Sequence, residues 1–237
     1  MMKKVIAFCL AGSLISIIVV LALTAGKANA AVIYSNDFES VVGSEWSSTS
    51  TDTTPANNRE FLGQFAENDT VTLSLGNLPV HNSVTVSFDL FVIQSWDGTS
   101  TDWGPDVWQL GVVNGPVLLS TSFSNSWEDG HMQSYPGSYS SGEEYPAYTG
   151  AAEINTLGYD FYGDSVYHLS FTFNHVNSLL ALKFSGLGLQ NVCDESWGLD
   201  NMSVAVAGCN IPEPASIAIF TAVGFMLFGR RSSKLKV

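Results

Sequence analysis

Between residues 95 and 108 the chain sets three tryptophans, Trp96, Trp103 and Trp108, among three aspartates, Asp97, Asp102 and Asp106. Such a mixture suits sugar rings, because an indole presents a flat apolar body with a polar handle that matches the C–H face and hydroxyl rim of a pyranose. Trp96, Asp97, Asp102 and Trp103 are therefore the candidate ligand-binding residues. Indoles also pack in sandwich cores, and the run from Val107 to Leu110 turns Trp108 inward. A second group, Glu128, Asp129, His131, Glu143 and Glu144, supplies acid and base material in a loop-rich stretch. Glycoside hydrolysis needs two carboxyls roughly 5–10 Å apart, which adjacency in sequence does not establish. No catalytic residue is assigned, and hydrolase or lyase activity is the lesser reading. His81, His131, His168 and His175 show no close metal spacing, and no G-x-S-x-G, phosphate loop or dinucleotide fingerprint occurs.

These residues sit in a strongly acidic middle. All 22 Asp and Glu lie between Asp37 and Glu213, and residues 31–214 hold only Arg59 and Lys183 against them, a formal charge of −20. Nucleic acid is excluded as an expected partner, since phosphate binding needs a Lys/Arg footprint. Divalent cations become more plausible partners, although acidity also serves solubility without any site.

The elements that must position the candidates read as strands. Val84, Val86, Phe88, Leu90 and Val92 alternate with Thr85, Ser87, Asp89, Phe91 and Ile93, and the strand ends before Asp97-Gly98. Similar alternation marks residues 70–75, 169–174 and 180–184, with further strands expected at 32–38, 107–113, 117–121 and 199–206. About nine strands in one domain of residues 31–209, with no helical crossover pattern, predict an all-β fold: an antiparallel β-sandwich of the jelly-roll kind. Residues 122–158, with Trp127, Tyr135, Tyr139, Tyr145 and Tyr148 amid Gly, Ser and Pro, are expected to be loops of the kind that carry function.

The two ends differ from this middle. Lys3 and Lys4, an apolar run from Val5 to Ala25, and Ala28-Asn29-Ala30 follow the order of a secretory signal helix over residues 1–30, with cleavage between Ala30 and Ala31 by signal peptidase. An uncleaved anchor is the alternative, and both export the domain. Of three cysteines Cys9 lies in the signal, leaving Cys193 and Cys209. In an oxidising compartment these are expected to pair, closing a loop of about 17 residues worth roughly 3 kcal/mol.

The last segment, residues 210–237, reads Pro212-Glu213-Pro214, an apolar stretch from Ile217 to Phe228, then Arg230 and Arg231. It resembles the PEP-CTERM sorting signal. As a helix, residues 215–229 extend about 22 Å at ~1.5 Å per residue, short of a ~30 Å hydrocarbon core and suited to a transient inner-membrane anchor. The resemblance implies an exosortase substrate of a Gram-negative bacterium, delivered to the cell surface or matrix where extracellular polysaccharide is made.

Asn36-Asp37-Phe38-Glu39 and residues 194–204 resemble the first and last strands of a carbohydrate-binding-module jelly roll. Such modules share a structural Ca²⁺ between an early acidic group and an Asp of the last strand, positions matched here by Glu39 and Asp200. In a regular strand Asp200 shares the face of Met202, Val204 and Val206, so its carboxylate faces the core and needs a cation or several hydrogen bonds. Capping of a turn by Asp200 is the alternative. Asp37, Glu39, Asp194 and Asp200 are therefore the expected Ca²⁺ ligands. Together these readings predict an exported polysaccharide-binding sandwich, with a secreted hydrolase or lyase and a purely structural matrix protein as alternatives.

Overall fold

Period-two alternation produces strands because successive side chains point to opposite faces, so one face can be buried whole. The computed structural model describes residues 30–126, 131–159 and 162–208. Its strands are β1 (Ala31–Asn36), β2 (Thr51–Thr53), β3 (Glu60–Phe65), β4 (Thr70–Leu75), β5 (Ser83–Gln94), β6 (Val107–Val112), β7 (Val117–Ser122), β8 (Glu153–Ile154), β9 (Asp164–Asn174), β10 (Leu180–Leu187) and β11 (Glu195–Ala207). They form two antiparallel sheets. The larger runs β2-β3-β11-β5-β9-β8, with β1 on the far half of β11; the smaller runs β4-β10-β6-β7.

The core lies between the sheets. Val84, Val86, Phe88, Leu90 and Val92 of β5 enter it, facing Leu73 of β4, Trp108 and Leu110 of β6, and Leu182 and Phe184 of β10. Trp108 packs edge-on to Trp197 of β11 with ring centroids 5.9 Å apart, and Phe88 meets Phe184 the same way at 5.5 Å. Trp108 thus points inward, as its apolar run predicts.

β3 escaped the sequence reading because both of its faces are covered. Leu62 and Phe65 join the main core, whereas Phe61 joins an outer patch with Phe91, Ile93, Leu157 and Val166 beneath Tyr159. Residues 123–126 and 131–152 are irregular apart from a 3-10 turn at Tyr139–Ser141, yet much of this stretch is packed rather than free. Phe123 packs at a tilt on Tyr167 and Tyr135 meets it edge-on, with ring centroids 4.4 and 5.2 Å apart, and the buried amide of Gln133 donates to the Tyr135 and Thr149 carbonyls. Trp127 lies outside the described residues.

β11 carries a bulge that corrects one expectation. Its register on β5 shifts between Asp200 and Ser203, with Asn201 at φ 50°, so the core face passes from Trp197 and Leu199 to Met202, Val204 and Val206. Asp200 therefore stands on the outer face, opposite Asp89, and is neither a core-facing residue nor a turn cap.

β11 also corrects the disulfide. Cys193 is exposed and free, while Cys209 lies outside the described residues. The strand between them rises about 40 Å at ~3.3 Å per residue, more than the two flanking residues at each end can fold back to the Cα separation of under ~7 Å that a bridge requires. An intramolecular Cys193–Cys209 bond is incompatible with this sheet.

Ala30 is exposed and Ala31 opens β1. The rest of the expected signal segment, and the whole of the sorting motif at Pro212, Glu213, Pro214, Arg230 and Arg231, lie outside the described residues. Among the described residues no helix is long and apolar enough to cross a membrane.

Candidate functional site

At one end of the sandwich the close of β5, the start of β6 and the start of β11 come together. Gln94 of β5 pairs with Glu195 of β11, after which Ser95, Trp96 and Asp97 leave the sheet. The following loop is pinched at its base, where the Asp97 N–H donates to Asp106 Oδ2 and the Asp106 N–H donates to the Gly98 carbonyl at 3.0 Å. Gly98 is required at this point. It adopts φ +66°, and a Cβ there would fall 1.9 Å from the Met132 carbonyl oxygen.

The loop presents its two tryptophans oppositely. Trp96 is fully buried, donating from Nε1 to the Ser196 carbonyl at 2.9 Å and packing on Phe123. It belongs to the core and is removed from the candidate binding residues. Trp103, by contrast, is 66% exposed, and its carbonyl accepts a bond from Gln190 Nε2 at 3.0 Å. Beside it opens a pocket of about 300 Å³ lined by Ser95, Asp97, Trp103, Ser126, His131, Tyr162, Gln190 and Asp194. That volume lies at the small end of the range for small-molecule sites. Asp102 is exposed on the same loop without lining the pocket.

Beside the pocket three carboxyls converge. One oxygen from each of Asp97, Asp106 and Glu195 lies within 4.8 Å of the others. Asp106 and Glu195 are wholly inaccessible to solvent. Glu195 Oε2 accepts the Gln190 N–H at 2.6 Å, and His131 Nδ1 lies 3.1 Å from Asp97 Oδ1. The Asp106 and Glu195 carboxyls contact each other, and Asp106 Oδ1 and Glu195 Oε1 have no other hydrogen-bond partner among the described residues. Burial, and then the neighbouring carboxylates, push both Asp106 and Glu195 well above the ordinary carboxylate range.

The sign of the resulting pH dependence follows directly. Folded-state values above those of the unfolded chain mean that the native protein retains protons which the unfolded chain releases, so their contribution is full at low pH and lost as pH rises through the raised values. In EDTA the melting temperature of wild type should fall relative to that of Glu195→Gln as pH rises from 5 to 8.5. Parallel melting curves for the two proteins across that range would contradict this assignment.

The expected calcium ligands do not assemble. Asp37 and Glu39 are exposed after β1, and Glu39 accepts the Glu60 N–H at 3.0 Å. Asp194 accepts a 2.7 Å bond from Ser95 Oγ at the pocket end. Asp200 is neutralised by Arg59, whose Nη2 lies 3.1 Å from Asp200 Oδ2 and 3.5 Å from Asp89 Oδ2, while Nη1 lies 3.4 Å from Glu153 Oε1. A protein cation thus occupies the role assigned to Ca²⁺ at Asp200. Of the acid and base candidates, Glu143 and Glu144 are exposed, the former accepting from the Tyr145 hydroxyl and the latter from Thr99 Oγ1. Glu128 and Asp129 lie outside the described residues. The carboxyls that converge beside the pocket, Asp97, Asp106 and Glu195, are not among these acid and base candidates.

The described residues therefore form an all-β antiparallel sandwich with an aromatic-rimmed, acid-lined pocket at one end. The chain is similar to several solved structures. Over 76% of its length it matches 97% of the CBM22-1 xylan-binding domain of Paenibacillus barcinonensis Xyn10C, at 12% identity and TM-score 0.38. Over 73% it matches 97% of a carbohydrate-binding module of Cellvibrio mixtus lichenase 5A, solved with cellotriose, at 14% identity and TM-score 0.35. Over 63% it matches dimeric latent PorU of Porphyromonas gingivalis at 17% identity and TM-score 0.34, spanning 11% of that chain. No family model and no curated protein matches the chain.

Proposed function

We propose that this protein is an exported β-sandwich of jelly-roll type that binds extracellular polysaccharide without turning it over. One observation carries the reading: Trp103 stands exposed at the rim of a pocket whose other walls include Tyr162, Asp97, His131, Gln190 and Asp194. An indole face with neighbouring carboxylates and an amide is the chemistry that stacks on a pyranose and receives its hydroxyls. Asp106 and Glu195, which reach no solvent, do not themselves touch a glycan seated in this pocket. Export by a cleaved signal, followed by exosortase sorting of the tail at the inner membrane, would deliver the domain to the cell surface or matrix. These steps rest on the terminal sequence motifs.

A glycan array probed with the purified chain, followed by a reducing-sugar assay on each bound glycan, tests the proposal. Binding to at least one acidic or neutral polysaccharide class without release of reducing ends is expected. A silent array would overturn the binding reading, and released ends would favour the hydrolase.

A further inference from the structure

We propose that Asp97, Asp106 and Glu195 form a binding site for one hard divalent cation, with calcium as its probe. The first ground is geometric. Two oxygens bound to the same Ca²⁺ at ~2.3–2.6 Å lie at most about 4.6–5.2 Å apart. One oxygen from each of the three carboxyls lies within 4.8 Å of the other two, close enough for a single ion between them to be shared.

The second ground is independent of the clustering. Asp106 Oδ1 and Glu195 Oε1 belong to side chains with no solvent exposure and, apart from the contact between the Asp106 and Glu195 carboxyls themselves, meet no hydrogen-bond donor among the described residues. Buried acceptors are ordinarily paired, and an orphaned carboxylate oxygen is among the most expensive groups to leave so. The fold places Glu195 there deliberately, since it shares the core-facing side of β11 with Trp197 and Leu199.

Protein cations are not at hand to fill the need. Among the described residues the lysines and arginines are Lys183, exposed on β10, and Arg59, engaged with Asp89, Glu153 and Asp200. His131 stands beside Asp97, and Asp194 adds a further negative charge beside Glu195. An all-carboxylate donor set selects a hard ion over zinc or copper. This site is distinct from Glu39 and Asp200 and does not depend on the glycan reading, although it shares Asp97 with the pocket.

Scanning calorimetry of the full chain in EDTA and in 1 mM CaCl₂ tests the site. Calcium at about a hundredfold excess over its Kd should raise the melting temperature by roughly 5–10 °C. The isosteric Glu195→Gln and Asp106→Asn changes should remove that shift, while a cooperative melt of each variant in EDTA shows that it still folds. Asp200→Asn and Trp103→Ala should keep the shift. No shift in wild type at 10 mM calcium, or an undiminished shift in Glu195→Gln, would overturn the proposal, whatever the glycan array shows.

Discussion

Replacing Arg59 with alanine is expected to destabilise the domain by about 2–3 kcal/mol, between the ranges for exposed and fully buried ion pairs, because the guanidinium is 24% exposed while Asp200 is 5%. The guanidinium holds together carboxylates from three strands, Asp89 of β5, Glu153 of β8 and Asp200 of β11, and lies over the Phe91 ring at 4.6 Å. Without it, Asp89 and Asp200 face one another across paired strands, with only the Asn201 amide and His168 left to bond Asp89. Arg59→Lys should recover only part of the loss, since an ammonium cannot address several carboxylates through a planar fork. Urea denaturation measures both changes. A loss under 1 kcal/mol for Arg59→Ala would show that Asp200 is balanced by something else.

The largest functional effect is expected from Trp103→Ala. Removing a central aromatic anchor from a recognition site costs on the order of 2 kcal/mol or more, about a thirtyfold rise in Kd. Because the indole is mostly exposed and its backbone carbonyl still accepts from Gln190, the melting temperature should stay within about 2 °C of wild type. Trp96→Ala should behave in reverse. It opens a cavity beside Phe123, costs about 3–5 kcal/mol of stability, and impairs binding only through the loop it supports. Titration calorimetry with an array-selected oligosaccharide distinguishes the two, and equal affinity of Trp103→Ala and wild type would remove Trp103 from the site.

The division between legible and illegible features has physical causes. β5 could be read because one of its faces is wholly apolar, and β4, β6 and β7 because Gly, Asn and Pro punctuate their ends. β3 could not, since a strand covered on both faces has no alternation to read. A bulge is set by how a strand meets its partners, so a single strand carries little trace of it. Asn201, a residue type that tolerates positive φ, was the available hint. The consequence reached the site: the inward-facing carboxylate expected at Asp200 is Glu195, and counting back by twos from Trp197 and Leu199 would have found it. Asp97 and Trp103 were recognisable from their company of aromatics and acids. Trp96 belongs to the same company and is buried, because composition does not say which indole of a loop turns inward.

The binding reading is tested most directly by following the indole N–H signals of the chain's six tryptophans by NMR during titration with a bound oligosaccharide. The pocket geometry predicts that the Trp103 signal moves in proportion to saturation while those of the buried Trp96, Trp108 and Trp197 stay in place. A glycan that binds and leaves the Trp103 signal unmoved would contradict it.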